Sequence, residues 1–373
     1  MERTGTGAVT AASRGAGRLF AARTNQGSEM AATLRDVAAL AGVSIKTVSN
    51  VVHDFEHIRP ATRERVRAAI DELGYKPNIS ARSLRSGRTG VIGLALPELS
   101  LSYFAELADA IIQAAERRGT SVIIEQTGGD RDREIQLLSS PHRQFTDGLI
   151  FSPLGMGNDD ASYLNVDYPL VLLGERIFGG PTDHVTMHNV AAAAAATRHL
   201  LATGRRRIAV IGAHEDEVIG SAGLRLRGYR ETLAEAGIEV DPALIGHTTL
   251  WHRANGATAM RELLATGVQF DAVFALNDTL ALGAMRVLQE SGRRIPLDVA
   301  VVGFDDLDES SYCLPALTTI DPGRDEIADT AVRILLERIT GEAADVPPRE
   351  IEAGFRLVQR ESTDFAPADA SVA

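Results

Sequence analysis

The outward residues of Ile45-Lys46-Thr47-Val48-Ser49-Asn50-Val51-Val52 bring an amine, an amide and hydroxyls onto one side of a short predicted helix. Val48, Val51 and Val52 recur at helical spacing on the inner side, which leaves Ile45, Lys46, Ser49 and Asn50 facing out. Donors and acceptors grouped this way suit hydrogen bonding to base edges in a DNA groove. A second group lies much further along. Asn277 and Asp305 each follow a predicted strand, Arg225 opens the helix of Arg-Leu-Arg-Gly-Tyr, and Trp251 sits in the loop before the helix containing Met260. A guanidinium and a carboxylate can share the hydroxyls of one sugar, and an indole face can cover its C–H surface. Each residue also has a plainer reading: Asp305 with Asp306 caps a helix, Asn277 starts one, Trp251 is packing and Arg225 pairs with a surface acid.

Other chemistry is poorly served. Lys46 and Lys76 are the only lysines, so everything after residue 76 lacks both a phosphate-loop lysine and a Schiff-base lysine. Cys313, the single cysteine, stands in a mixed segment and reads as a core or half-buried thiol. His184 and His188 flank what reads as a strand, where the ligand spacing of a helix has no meaning. No metal, cofactor or catalytic residue is expected. The chain is net −12, yet residues 1–88 alone are net +6 and the remainder is −18. Nucleic-acid binding therefore belongs to the first part, beside an acidic body that discourages nonspecific coating of DNA.

The elements that position the first group follow from local signals. Thr33 and Asp36 form a capping box ahead of a helix to Ala41, whose apolar face is Leu34, Val37, Ala38 and Ala41. Gly42-Val43-Ser44 turns the chain, with Val43 inward and Ser44 capping the next helix, Ile45 to Val52. Two helices joined by a tight glycine turn match a helix-turn-helix unit. A third helix begins near Pro60, buries Val66, Ala69, Ile70 and Leu73 and ends at Gly74; its Arg63, Arg65 and Arg67 either approach phosphates or are simply solvated. Residues 79–88 make a helix too short to be stable alone, since isolated helices below roughly 12 to 15 residues rarely form in water.

Arg35-Asp36-Val37-Ala38-Ala39-Leu40-Ala41-Gly42-Val43-Ser44 through Val52, continued by Leu73-Gly74-Tyr75-Lys76-Pro77-Asn78, resembles the head of LacI/GalR-type bacterial regulators. The resemblance implies a DNA-binding set of Thr33, Ser44, Ile45, Lys46, Thr47, Ser49, Asn50, Asn78, Ala81, Arg82, Leu84 and Arg85. In it, Lys46 donates to guanine, Asn50 meets an adenine edge or a phosphate, and Ile45 touches a thymine methyl. Many relatives carry arginine at the position of Asn50. The segment from Ile79 to Arg88 then corresponds to a hinge helix that forms on DNA and wedges Leu84 into the minor groove; read alone, it is equally a flexible polar linker.

After Arg88 short apolar strands alternate with helices, the pattern of parallel sheets built from βαβ units. Strands are predicted at 91–96, 122–124, 148–151, 170–173, 208–212, 272–276 and 299–304, with helices at 104–118 and 190–202. The fold class is α/β: an all-α helix-turn-helix headpiece (33–77) with hinge helix (78–88), followed by a bilobal periplasmic-binding-protein-like core of two parallel-sheet α/β lobes (89–363). A 1–32 extension expected to be disordered precedes it, with Met30 a candidate start, and a 364–373 tail without leucine heptads follows it. Val302-Gly303-Phe304-Asp305-Asp306, Leu317-Thr318-Thr319-Ile320 and Arg360-Glu361-Ser362-Thr363 extend the resemblance, with crossovers between lobes near Asn189, Ile320 and the last strand. It implies an effector pocket of Tyr103, Arg225, Trp251, Asn277 and Asp305, with Gln126, Thr127 and Ser152 also facing the cleft. Leu101-Ser102-Tyr103-Phe104 and His188-Asn189 depart from the family's usual Asn-Pro-Phe-Phe and Asp-Asn, so no particular sugar carries over.

The expected function is a cytoplasmic, nucleoid-associated repressor. It binds operator DNA as a homodimer and is controlled by a sugar, polyol or nucleoside, without a membrane segment. A solute-binding protein would need a secretory signal in place of a DNA-reading head. A sugar-acting enzyme could place Asp305, Asp306 and His188 in the cleft, but no nucleophile or metal motif accompanies them.

Overall fold

The computed structural model describes residues 32–52, 55, 57–75, 88–215 and 217–364. These fall into two compact units, divided between Arg82 and Ser83. Residues 1–31 and 365–373, and the expected hinge as far as residue 87, lie outside the described residues.

In the first unit, α1 (Leu34–Ala41) and α2 (Ile45–Val52) are joined through Gly42, whose left-handed backbone (φ +61°) ends α1. Thr33 accepts from the Asp36 amide (3.4 Å) while Asp36 Oδ2 accepts from the Thr33 amide (2.8 Å), so the capping box is complete. Ser44 Oγ accepts from the Thr47 amide (3.1 Å) and fixes the start of α2. α3 (Pro60–Leu73) closes a core of Val37, Ala38, Ala41, Val48, Val51, Val66, Ala69 and Tyr75. Leu73 departs from expectation. It is 36% exposed, because the helix ends there and Tyr75, folded back beyond Gly74, fills the core instead.

The second unit has two lobes. The first contains β1 (Val91–Leu96), α4 (Ser102–Glu116), β2 (Ser121–Gln126), α5 (Arg131–Leu138), β3 (Leu149–Phe151), β4 (Leu170–Leu173) and β5 (Asp183–Met187). The second contains α6 (Asn189–Ala202), β6 (Ile208–Ala213), α7 (Ser221–Glu235), β7 (Ile245–His247), α8 (Arg253–Ala265), β8 (Ala272–Ala275), α9 (Asp278–Glu290), β9 (Ala300–Val302) and α10 (Asp308–Tyr312). The chain then runs through β10 (Thr319–Asp321), α11 (Arg324–Thr340), β11 (Glu350–Ala353) and β12 (Arg356–Val358). The first sheet has the order β11-β5-β4-β3-β1-β2 and the second β7-β6-β8-β9, both wholly parallel. β10 and β12 pair antiparallel, with Ile320 opposite Leu357. Three connections cross between the lobes: residues 188–189, β10 and β12.

Helix packing sets where the cleft residues sit. Four of the six consecutive alanines of α6 are buried, and they do more than favour a helix. They let α7 approach so closely that a β-carbon on Gly228 would come 2.3 Å from the Val190 carbonyl. α8 and α9 cross in the same way: a β-carbon on Gly256 would meet the Leu280 carbonyl at 2.2 Å, and one on Gly283 the Arg253 carbonyl at 2.0 Å. β7, β11 and β12 escape sequence reading because they are 3 or 4 residues long and mixed in polarity.

Candidate functional site

The polar face of α2 is formed as the sequence predicts. Ile45 and Lys46 are exposed, Ser49 and Asn50 partly so, and the inner valines pack on α1 and α3. Thr33, Ser44 and Thr47 are committed to caps through their side chains, so they place the helices that carry Lys46 and Asn50. Arg63 donates to the Phe55 carbonyl (2.8 Å) and braces the loop before α3. Asn78, Ala81, Arg82, Leu84 and Arg85 lie outside the described residues.

The second unit has a cavity of about 150 Å³ between its lobes, beyond the carboxyl ends of strands from both sheets. Tyr103, Arg225, Trp251, Asn277 and Asp305 all line it, as does Ser152. Gln126 and Thr127 do not. The Gln126 amide oxygen accepts from the Leu99 amide (2.7 Å), and the Thr127 hydroxyl turns toward Glu134 (3.4 Å), so both stabilise loops behind the wall.

Arg225 lies inside α7, one turn before Gly228, rather than at the helix start. The close approach of α6 and α7 lets its Nε donate to Asn189 Oδ1 (2.8 Å) and its Nη1 to the Leu276 carbonyl (2.5 Å). Its guanidinium carbon sits 3.5 Å from the centre of the Phe304 ring and 5.3 Å from that of Trp251. Asp305 Oδ1 lies 3.6 Å from Nη1. Both groups are almost fully buried. Burial pushes the Asp305 carboxyl well up, opposed by Arg225, and pushes the Arg225 guanidinium down, opposed by Asp305. Asp305 has φ +117° and Asp306 φ +49°, conformations that non-glycine residues avoid. Arg360 anchors Asp306 Oδ1 (2.6 Å) and Arg324 donates to the Asp305 carbonyl (3.2 Å), which holds this turn in place.

Trp251 is fixed at both ends. Its indole N–H donates to the Gly212 carbonyl (2.8 Å), and its carbonyl accepts from Asn277 Nδ2 (3.2 Å) and from Thr279 Oγ1. With the N–H occupied, the ring offers the cavity its π face. Asn277 also receives the Leu280 amide at Oδ1 (2.8 Å), so the plainer reading of this residue, a helix start, describes its bonds. Tyr103 stands across from the Arg225–Asp305 pair, its phenol pushed well above the ordinary range by burial and then by Asp305 and Glu175.

Sequence reading missed Glu175, Arg176, His214 and Glu217, which also line the cavity. Glu175 and His214 fall just past the ends of β4 and β6, the rule that exposed Asn277 and Asp305. Glu175 bridges the lobes, accepting from Thr186 Oγ1 (3.0 Å) and Ser221 Oγ (2.6 Å). His188 does not enter the cavity but pairs with Glu352 (2.9 Å), and Asp306 with Arg360, so the trio an enzyme would require is dispersed. Among the described residues no group of three or more His, Cys, Asp or Glu is placed to hold a metal ion, and no helix is long and apolar enough to cross a membrane. Cys313 is half-buried, its thiol raised by burial.

Residues 33–78 match the family model of bacterial regulatory proteins of the lacI family, and residues 197–363 match that of periplasmic binding protein-like domains. The HTH-type transcriptional regulator CelR of Thermobifida fusca is 37% identical over 342 residues, spanning 88% of this chain and 98% of CelR. The chain belongs to the LacI family. The fold agrees: a CelR–cellobiose complex superposes with a TM-score of 0.65 at 34% identity, covering 89% of this chain and 99% of that one. A lac repressor dimer bound to operator and the anti-inducer ONPF gives 0.75 at 31% identity, covering 90% and 99%. This LacI-family member is thus a helix-turn-helix transcriptional regulator with a periplasmic-binding-protein-like core, and its relatives are regulators, not enzymes.

Proposed function

We propose that this regulator represses transcription from the bacterial cytoplasm, associated with the nucleoid. It binds a pseudo-palindromic operator as a two-fold dimer, and a sugar or related polyol in the interlobe cavity biases that binding. The observation that carries the effector reading is the Arg225–Asp305 pair, buried at the cavity wall beside the fixed face of Trp251. Those are the groups a polyhydroxylated ring requires. Arg225 Nη2 has the Met187 sulfur at 3.3 Å, a weak acceptor that a sugar hydroxyl can replace.

The cleft can transmit occupancy. Arg176 to Glu217 (3.5 Å), Ser221 to Glu175 (2.6 Å), His252 to Glu98 (3.0 Å) and Arg253 to Ser102 (3.1 Å) each join one lobe to the other. A ligand that favours one lobe arrangement shifts the equilibrium only by its differential affinity for the two states. The domain reading is a headpiece at 33–77, a hinge at 78–88 and a core at 89–363. In this reading Lys46, Asn50 and Ile45 meet bases, while Leu84 of each partner enters the minor groove. The CelR relative in complex with cellobiose and the operator-bound lac repressor dimer support both halves of the proposal.

The test is to select operator DNA from random sequence with the full chain, then measure affinity with and without a panel of sugars across a salt series. Sequence-specific, salt-dependent binding that changes with one sugar is expected. Binding that no sugar alters removes the effector, and absence of sequence preference removes the operator.

A further inference from the structure

His214 sits in the cavity wall with its ring 5.6 Å from that of Trp251. Its Nδ1 lies 2.7 Å from Glu217 Oε2, whereas its Nε2 is buried with no hydrogen-bond partner. Burial alone would raise the Glu217 carboxyl, but the hydrogen bond to His214, together with His214 and Arg176 charge, draws it below the usual range. An ionised carboxylate only accepts, so Nδ1 carries a proton toward Glu217 and Nε2 is the ring nitrogen left without a partner. A buried polar atom left unsatisfied is costly, and a ligand hydroxyl, which can both donate and accept, would satisfy it.

The charges of the wall point the same way. Glu98, Glu175, Glu217 and Asp305 outnumber Arg176 and Arg225. Each of those cations already faces a carboxylate, Arg176 at 3.5 Å from Glu217 and Arg225 at 3.6 Å from Asp305. An anionic ligand would add a charge that no spare cation offsets in a poorly solvated space, and it would bring its acceptor oxygens to carboxyl groups.

Resting on the proposed sugar-binding role of this cavity, we infer that the effector is an uncharged, hydroxyl-bearing sugar, that His214 Nε2 hydrogen-bonds one of its hydroxyls, and that phosphorylated and carboxylated forms are rejected. Glu217 is the positioning residue that fixes the His214 ring orientation. The ligand class is thereby the free sugar as it is taken up or released by hydrolysis, before a kinase or oxidase acts on it.

Titration followed by fluorescence and calorimetry tests this with paired probes: D-glucose and D-glucose 6-phosphate, D-ribose and D-ribose 5-phosphate, cellobiose and cellobionate. The full-length protein should bind at least one neutral member, and the charged partner of that sugar should bind at least about a hundredfold more weakly. His214→Ala should weaken the neutral ligand by about tenfold or more, whereas His214→Gln, whose terminal amide can occupy the Nε2 position and either donate or accept, should retain most of the affinity. Thermal melts of each variant confirm that the core is folded. A charged probe binding as tightly as its neutral partner overturns the inference while leaving a sugar site intact, as does His214→Ala binding like wild type. Failure of every probe overturns the sugar reading itself and this inference with it.

Discussion

The Asn277 side-chain nitrogen donates to the Trp251 carbonyl at 3.2 Å while its oxygen caps α9 at 2.8 Å, so one amide ties the aromatic wall of the cavity to the start of a helix. Asn277→Ala removes both bonds. Loss of an N-cap alone costs about 1 kcal/mol, and the freed Trp251 loop adds a loss of effector affinity. Trp251 is the only tryptophan in the chain, so its emission reports this cavity and nothing else. The variant should show a lower denaturation midpoint and a weaker fluorescence titration with the same sugar; unchanged titration would make Asn277 a cap without influence on the platform.

A second prediction comes from the contact of α6 with α7. A β-carbon at Gly228 would lie 2.3 Å from the Val190 carbonyl and 3.0 Å from Ala193 Cβ, and neither is the end of a flexible side chain. Gly228→Ala must spread the two helices, at a cost of about 1–3 kcal/mol by comparison with overpacked cores. Arg225, one turn away on α7, would move off Asn189. Chemical denaturation should show the lost stability, and effector affinity should fall with it. A variant as stable as wild type would mean that the helices have room the distances deny.

What the sequence discloses, and what it withholds, follows from the range of the forces involved. Thr33, Gly42 and Ser44 announce their turns because caps act over three or four residues. Asn277 and Asp305 are legible because strand ends in a parallel sheet converge on one edge, whereas Arg225, on a helix, is legible only through the family resemblance. Glu175 and His214 obey that same geometry but look like ordinary solvated side chains until β4 and β6 bring them together. The alanines of α6 read as helix formers, since their pairing with Gly228 is an agreement between segments 32 or more residues apart. The exposure of Leu73 escapes periodicity because a helical stripe says nothing of where the neighbouring helices stop.

Asp278 supplies a pH prediction. It is fully buried in the first turn of α9 and accepts from Thr319 Oγ1 (2.6 Å), Ser310 Oγ (2.7 Å) and the Leu307 amide (3.0 Å). Burial pushes its carboxyl up to about 7, against those bonds, which favour the charge. The folded chain therefore keeps a proton that the unfolded chain, titrating at 3.8, has already released. This group's contribution to stability is greatest below about pH 4, declines as pH rises toward about 7, and is level above. Denaturation at about pH 5 and about pH 8 should show a smaller decline in Asp278→Asn than in wild type; equal declines would assign the proton to another group.

The reading of α2 makes a prediction in which two basic residues behave oppositely. Lys46 is exposed and plays no part in the headpiece core, whereas Arg63 donates to the Phe55 carbonyl at 2.8 Å. Lys46→Ala should leave the headpiece melting temperature nearly unchanged, because surface substitutions usually stay within about 0.5 kcal/mol. Its cost should fall on discrimination, about 1–3 kcal/mol at a single base pair if Lys46 donates to guanine. Were Lys46 to meet only a phosphate, affinity would fall by the same factor on every sequence and the salt slope would drop by about 1. Arg63→Ala should lower the melting temperature of the headpiece and weaken all operators alike. Anisotropy titrations on the selected operator and its single-base variants, over a potassium chloride series, separate these outcomes, and an unaltered base preference in Lys46→Ala would take direct readout away from that side chain.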